Sequence, residues 1–192
     1  MTFTTSYCTI YIGNGMYIDT INPRFPTSQL FNYSIAACIY WASELEEAGM
    51  TTNPITSLSW FHNCNGPMNF DHTKIWMSNV NDSRAITNTP SVSDMTLVYD
   101  SGNNCDIDVS FPAWVEFCFN QDSFAWDGHS NILIFVQRNS GCWYGGRWRG
   151  TSDVGGVSYS YSDFSAYNIE TSIYTMDQSR YRSDIKINQH IP

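Results

Sequence analysis

Basic side chains are scarce in this chain: nine Lys and Arg stand against eighteen Asp and Glu, for a net charge of −9. Proteins grip nucleic-acid backbones by displacing counterions with Lys and Arg, so this balance argues against such a partner. No run of basic residues forms a local patch either. No stretch approaches the roughly 20 apolar residues of a membrane-spanning helix, so membrane insertion is not expected. The first residues, Met1 to Cys8, lack the basic and apolar regions of a secretion signal. None of the six cysteines (Cys8, Cys38, Cys64, Cys105, Cys118, Cys142) belongs to a C-x-x-C pair, which removes the common zinc and thioredoxin-like spacings. Cys38 beside Ile39 and Cys118 between Phe117 and Phe119 fall inside apolar strand patterns. Reduced, core-packed thiols are the expectation for most of the six.

Long helical periodicity is missing too, and short strand-like runs take its place. Thr9–Ile12, Ile55–Phe61, Lys74–Met77, Met95–Tyr99, Trp114–Phe119, Ile132–Val136, Ser158–Tyr161 and Ser183–Asn188 are separated by Gly, Pro, Asn and Asp. Tyr33 to Trp41 fits a strand or a short helix, and Ser43 to Gly49 reads as helix or turn. Alternation over 55–61 predicts Ile55, Ser57, Ser59 and Phe61 on one face. The run Ile132–Val136 is apolar throughout, as expected of a strand buried on both sides. Such spacing predicts an all-β fold: a single jelly-roll-like antiparallel β-sandwich over residues 1–192, with short helical turns at most.

Aromatic residues make up 16% of the chain and charged residues 14%, so the surface is expected to be polar rather than ionic. After the 132–136 run comes a glycine-rich loop carrying Trp143, Tyr144, Arg147, Trp148 and Arg149. Rings that stack on the C–H face of a sugar, beside guanidinium donors for its rim, suit glycan contact. The same residues also suit a protein interface, or plain packing with the arginines lying on the indoles. Tyr159, Tyr161, Phe164 and Tyr167 form a second aromatic tract separated by Ser, Asp and Ala, of the kind that serves adaptable recognition. The spacing of two between Tyr159 and Tyr161 equally fits one face of a strand.

Asp100, Asp106 and Asp108, with Asn103 and Asn104, are hard oxygen donors of the kind Ca²⁺ takes, although 100–104 reads first as a turn. No other cofactor is expected. An enzyme is not expected either: His62, His72 and Cys64 lack a supporting motif, and Glu44, Glu46 and Glu47 share one short segment that reads as a helix end rather than the two walls of a cleft.

Several segments are familiar in order. Tyr33-Ser34 leads to Ile39-Tyr40-Trp41-Ala42-Ser43-Glu44-Leu45, and Ile55-Thr56-Ser57-Leu58 follows. Lys74-Ile75-Trp76-Met77-Ser78-Asn79 and Ser93–Asp100 come next. Trp126-Asp127-Gly128 with Ser130–Ile134, and finally Tyr181–Lys186, complete the series. Over about residues 9–188 the chain resembles β-sandwich modules of large surface and secreted Bacteroidetes proteins, akin to cleaved-adhesin domains. The resemblance implies a jelly-roll-like sandwich used for adhesion or glycan contact, without catalysis. Such modules sit inside longer secreted chains, whereas this sequence opens at Met1 without a signal. That departure suits a decoration or fibre-type protein on the virion surface of a bacteriophage infecting such bacteria. Its expected partners are a glycan or a capsid or tail protein, and a homo-oligomer is compatible with this. The other reading is a carbohydrate-binding module excised from a larger extracellular protein.

Overall fold

The structure, a computed structural model, describes residues 6–15, 25–28, 30–63, 68–82, 84–102, 106–107, 112–140, 147–152 and 154–191. In chain order its elements begin with β1 (Ser6–Ile12), β2 (Tyr33–Tyr40), α1 (Ala42–Glu47), β3 (Pro54–His62), β4 (Met68–Asn69) and β5 (Thr73–Val80). A 3-10 turn (Val92–Asp94) precedes β6 (Thr96–Asp100), β7 (Asp106–Ile107), β8 (Ala113–Cys118), β9 (Phe124–Ala125) and β10 (Asn131–Arg138). The chain closes with β11 (Gly150–Thr151), β12 (Val157–Ser162), β13 (Asp177–Ser179), β14 (Arg182–Ser183) and β15 (Ile185–Ile191).

Two antiparallel sheets make up the sandwich. One runs β1-β15-β3-β8 with β9 also paired to β3; the other runs β13-β12-β2-β10-β5-β6. Chain ends meet in the first sheet, where Ser6 pairs with Ile191 and Ile12 with Ile185. Between the sheets, Ile10, Leu58, Trp60, Val115, Phe117 and Ile187 of the first meet Ala36, Cys38, Ile75, Met77, Ile132 and Ile134 of the second. Burial of that much apolar surface, at roughly 25 cal/mol per Å², is the main force holding the layers together.

The two outer faces differ. In the six-stranded sheet, Ile35, Ala37, Ile39, Trp76, Leu133 and Phe135 point away from the sandwich interior yet are buried. Tyr167, Ile169 and Met176, with Ile86, Val92 and Met95, lie over them as a third layer. This cover explains why Ile132–Val136 is apolar without alternation: Ile132, Ile134 and Val136 face the other sheet while Leu133 and Phe135 face the overlay. In the five-stranded sheet alternation survives. Ile185, Ile187 and Gln189 are buried, whereas Lys186, Asn188 and His190 look outward. A half-wet sheet needs one apolar and one polar side, and this one has both.

Within β3 the predicted face is corrected. The pairing with β15 slips between Asn188 and Gln189, so Ser57 opposes Asn188 but Ile55 opposes Gln189, leaving Thr56 as an extra residue. A bulge of this kind reverses the side on which residues beyond it point. Ile55 therefore joins the core while Ser57, Ser59 and Phe61 stay outside. The segment Tyr33 to Trp41 resolves as strand up to Tyr40, and Ser43 to Gly49 as most of the short helix α1 and the turn after it.

That helix is tied down by one ion pair. Glu44 Oε1 accepts from the Trp41 backbone N–H at 2.7 Å, the carboxylate half of a capping box. Arg182 Nη1 and Nη2 donate to Glu44 Oε1 and Oε2 at 2.6 and 2.5 Å, and Arg182 Nη1 also reaches the Ile39 carbonyl. The guanidinium is flanked by the Tyr40 and Trp41 rings at 4.7 and 4.9 Å. Burial by itself would lower the pKa of Arg182, but the Glu44 hydrogen bonds together with the neighbouring Cys38, Tyr40 and Glu44 charges outweigh it and hold the pKa above its ordinary value.

Candidate functional site

The polar face of the five-stranded sheet is not overlaid by any described strand, and its side chains are arranged in rows across four strands. At its centre Thr9, Asn188, Ser57 and Cys118 stand opposite one another on β1, β15, β3 and β8. The first three are locked by hydrogen bonds: Thr9 Oγ1 donates to Asn188 Oδ1 at 2.6 Å, and Asn188 Nδ2 donates to Ser57 Oγ and to Glu116 Oε1, each at 2.9 Å. Ser57 Oγ donates to the same Glu116 oxygen at 2.5 Å. Glu116 is exposed, and its Oε2 takes no hydrogen bond from a described residue. These groups, with Tyr7 and Cys118, line a cleft of about 580 Å³.

Aromatic rings border this polar strip at both ends. Tyr7 meets His190 edge-on at 6.4 Å. At the other end Trp114 meets Tyr11 and Phe61 edge-on at 6.1 and 5.7 Å. Two cations interleave with those rings: Lys186 Nζ lies 4.3 Å from the Trp114 centroid, and Arg149 Cζ lies 4.4 Å from that of Phe61. Arg149 is held by Asp184, which accepts its Nε–H at 2.8 Å while its other oxygen accepts from Thr151 Oγ1. Gly13, at φ +119°, passes so close to that carboxylate that any Cβ there would overlap it. Tyr7 and Tyr11 are 56% and 58% exposed, a large exposure for rings standing beside a preorganised polar strip.

The loop singled out from sequence divides at this face. Trp143 and Tyr144 lie outside the described residues. Residues 147–149 run antiparallel to the end of β3, with Asn63 N–H donating to Arg147 O and Arg149 N–H to Phe61 O, both at 2.8 Å. Alternation then sends Trp148 inward and its neighbours outward. Trp148 is 2% exposed, donates Nε1–H to the Thr27 carbonyl at 2.9 Å, and packs against His62 and Phe70. It is a core residue and offers no ring face to a ligand, which corrects its reading as a contact residue. Arg147 is exposed, and Arg149 lies on Phe61 and Trp114, rings from outside this loop.

Tyr159 and Tyr161 share one side of β12, their rings stacked at 5.9 Å, and Tyr161 stacks on Phe31 at 3.7 Å. They lie in the other sheet and do not join the rows described above. Asp100 is engaged locally: Oδ1 accepts the Gly102 N–H at 2.9 Å and Oδ2 stands 3.5 Å from Lys74 Nζ. The Asp106 side chain and Asp108 lie outside the described residues. Among the described residues no group of three or more His, Cys, Asp or Glu side chains converges on a metal position. Cys8, Cys38 and Cys118 are free thiols. Cys38 is fully buried, and burial pushes its pKa up to about 12. Cys118 is exposed, against the expectation of a core thiol, because Phe117 takes the inward position of β8.

His62 illustrates how the core treats a titratable ring. It points inward beside Trp148, their centroids 4.6 Å apart, and burial lowers its pKa to about 4. The unfolded chain takes up this proton near pH 6.5 and the folded chain does so only near pH 4. The stability due to the neutral ring is complete above pH 6.5 and is lost as pH falls towards 4. Between those values His62→Phe is expected to have a flatter dependence of its urea midpoint on pH than the wild type. Parallel curves would show that His62 does not carry that proton linkage.

The residues missed from sequence are Tyr7, Tyr11, Ser57, Trp114, Glu116 and Asn188. A signal was present in the alternation of 114–118 and 185–190, which sets Trp114, Glu116, Lys186, Asn188 and His190 on the wet side. What these geometries define is a class, an all-β antiparallel sandwich-like fold in which one sheet face is overlaid by no described strand. In comparisons with known proteins, no family model, no curated protein and no solved structure matches the chain.

Proposed function

We propose that this protein is a non-catalytic recognition module that holds a neutral glycan chain against the outer face of its five-stranded sheet. The observation that carries this reading is the preformed Thr9–Asn188–Ser57–Glu116 network, with the exposed Tyr7 and Tyr11 flanking Thr9 on β1. Sugars present hydroxyls that both donate and accept, beside apolar C–H faces. Glu116 Oε2 accepts sugar hydroxyls, and the tyrosine rings take the C–H faces. Groups already fixed by one another lose little freedom on binding, which favours affinity at such a site. Lys186 is engaged over Trp114, so the centre of the strip carries no cation to attract an acidic sugar.

Affinity-gel electrophoresis with neutral polysaccharides tests the assignment. The wild type is expected to be retarded by at least one of them. Glu116→Gln and Tyr11→Ala should each weaken retardation about tenfold, the equivalent of one charge-assisted hydrogen bond or one stacking contact. Trp143→Ala should weaken it as well if the 141–146 loop reaches the same ligand. Wild-type mobility unchanged by every polysaccharide would remove the reading.

The fold we infer for this module is of the jelly-roll type. Eight of the nine strands with five or more residues wind as β1-β15-β3-β8 opposite β2-β10-β5-β6, with first and last side by side, the order that two Greek keys produce. The setting we infer is the surface of a phage particle, and the alternative is an excised module of a secreted bacterial adhesin. Both rest on the resemblance of the ordered segments. A protein partner such as a capsid or tail component is favoured by one observation: Phe164 and Ile173, on the side away from the glycan strip, are 97% and 80% exposed.

A further inference from the structure

Where β5, β6 and β10 meet at one end of the six-stranded sheet, its overlaid face turns polar. Asp100 of β6, Lys74 of β5 and Gln137 of β10 stand opposite one another in a row, two residues along from the apolar pair Trp76 and Phe135. Between this row and the overlying segment 167–170 lies a pocket of about 240 Å³, which His72 and Asn139 also line. Cross-strand neighbours on one face lie close enough for their side chains to act together.

The walls are fixed to one another. Tyr167 is stitched to the sheet through its backbone: its N–H donates to Asn139 Oδ1 at 3.1 Å, and its carbonyl accepts from Asn139 Nδ2 and Gln137 Nε2 at 2.9 and 2.7 Å. Asp100 is held at its backbone by the Asn120 amide, at 2.9 and 2.8 Å, and at Oδ1 by the Gly102 N–H. Each group keeps one side unused. Asp100 Oδ2 stands 3.5 Å from Lys74 Nζ, longer than the roughly 2.7–2.9 Å of a charge-assisted hydrogen bond. Gln137 is 7% exposed, and no described residue donates to its Oε1. A buried amide oxygen without a donor is costly, so a group supplied from the pocket is favoured there.

We propose that this pocket binds the vicinal diol of a single neutral sugar ring. The row reads acceptor, donor, acceptor: Asp100 Oδ2, Lys74 Nζ, Gln137 Oε1. Two neighbouring hydroxyls both accept from the Lys74 ammonium, and one donates to Asp100 while the other donates to Gln137. A hydroxyl donates and accepts at once, whereas a carboxylate only accepts and an ammonium only donates. Lys74 and Asp100 offset each other in charge, and the ammonium at the centre of the row repels a metal cation. At about 240 Å³ the space is smaller than the roughly 300 Å³ at which pockets for drug-sized ligands begin, which limits the occupant to one ring. A free monosaccharide and the non-reducing end of a longer glycan share this chemistry. The pocket lies on the opposite side of the sandwich from the Thr9–Asn188 strip and shares no residue with it, so neither assignment rests on the other.

Amide chemical shifts of the full chain, followed during titration with the methyl glycosides of glucose, galactose and mannose, decide the matter. At least one is expected to shift the amides of Lys74, Asp100, Gln137 and residues 168–170 saturably. Its permethylated form, which keeps the ring but has no hydroxyl to donate, should leave them unmoved. Lys74→Met and Asp100→Asn should each weaken binding tenfold or more with the urea midpoint close to that of the wild type, while Glu116→Gln leaves it intact. A trisaccharide ending in the same sugar that moves the same amides identifies a glycan end as the source, and one that does not identifies the free sugar. No saturable shift at these amides with any methyl glycoside overturns the proposal. So does an equal response of both variants and wild type, a permethylated glycoside acting as well as its parent, or loss of the response in Glu116→Gln.

Discussion

Replacing Glu44 by alanine is expected to destabilise the protein by about 3–5 kcal/mol, the usual consequence of leaving a buried guanidinium without its partner. Arg182 is buried, and its two Nη groups meet both oxygens of Glu44. Remove that carboxylate and a positive charge remains between two rings, with one carbonyl as its acceptor. The helix α1 also loses the group that accepts from the Trp41 N–H. Urea unfolding of the single variant reads the total. The paired change Glu44→Leu with Arg182→Met should recover most of the loss, since apolar replacement of a whole buried pair is often neutral. A single-variant loss under about 1 kcal/mol would mean that the pair behaves like an exposed one.

Trp148→Ala is the second large effect, roughly 3–5 kcal/mol, from the cavity left by a buried indole. The Thr27 carbonyl also loses its donor, an orphaning that adds to the cost. His62 and Phe70 line the space. Any fall in ligand binding by this variant should track its loss of fold, and at a temperature where the variant remains folded its binding should match the wild type. Binding lost from a fully folded Trp148→Ala protein would return this residue to the surface role that its loop suggests.

Trp148 also shows where sequence reading stops. From 141 to 150 the glycines, indoles and arginines look like one exposed loop, and nothing in the order of residues says that 147–149 extends the hydrogen bonding of β3. Once it does, alternation makes Trp148 interior and Arg149 exterior. The pairing is long-range, so local pattern cannot announce it. Ile55 follows the same logic, because only the slip against β15 reveals that Thr56 is an additional residue.

Other features were legible because they are local. An apolar run without alternation at 132–136 signals burial on both faces, and both faces are covered. Spacing of two places Tyr159 and Tyr161 on one side of a strand, where their rings stack. Asp100 followed by Gly102 reads as a turn, and the carboxylate accepts the Gly102 N–H. Glu44 as a helix-end group was legible too, whereas its partner Arg182, far away in sequence, was not. The polar strip lay between these cases. Its alternation is plain in 185–190 and 114–118, but only the strand order brings Thr9, Asn188 and Ser57 into one row.

Amide chemical-shift mapping during titration with a neutral oligosaccharide tests the central assignment most directly. Shifts are expected to cluster in β1, β15, β3 and β8, strongest near Thr9, Ser57, Glu116 and Asn188, and to shrink with Glu116→Gln at the same ligand concentration. Shifts confined to residues 163–176, or no shift with any neutral sugar, would contradict it.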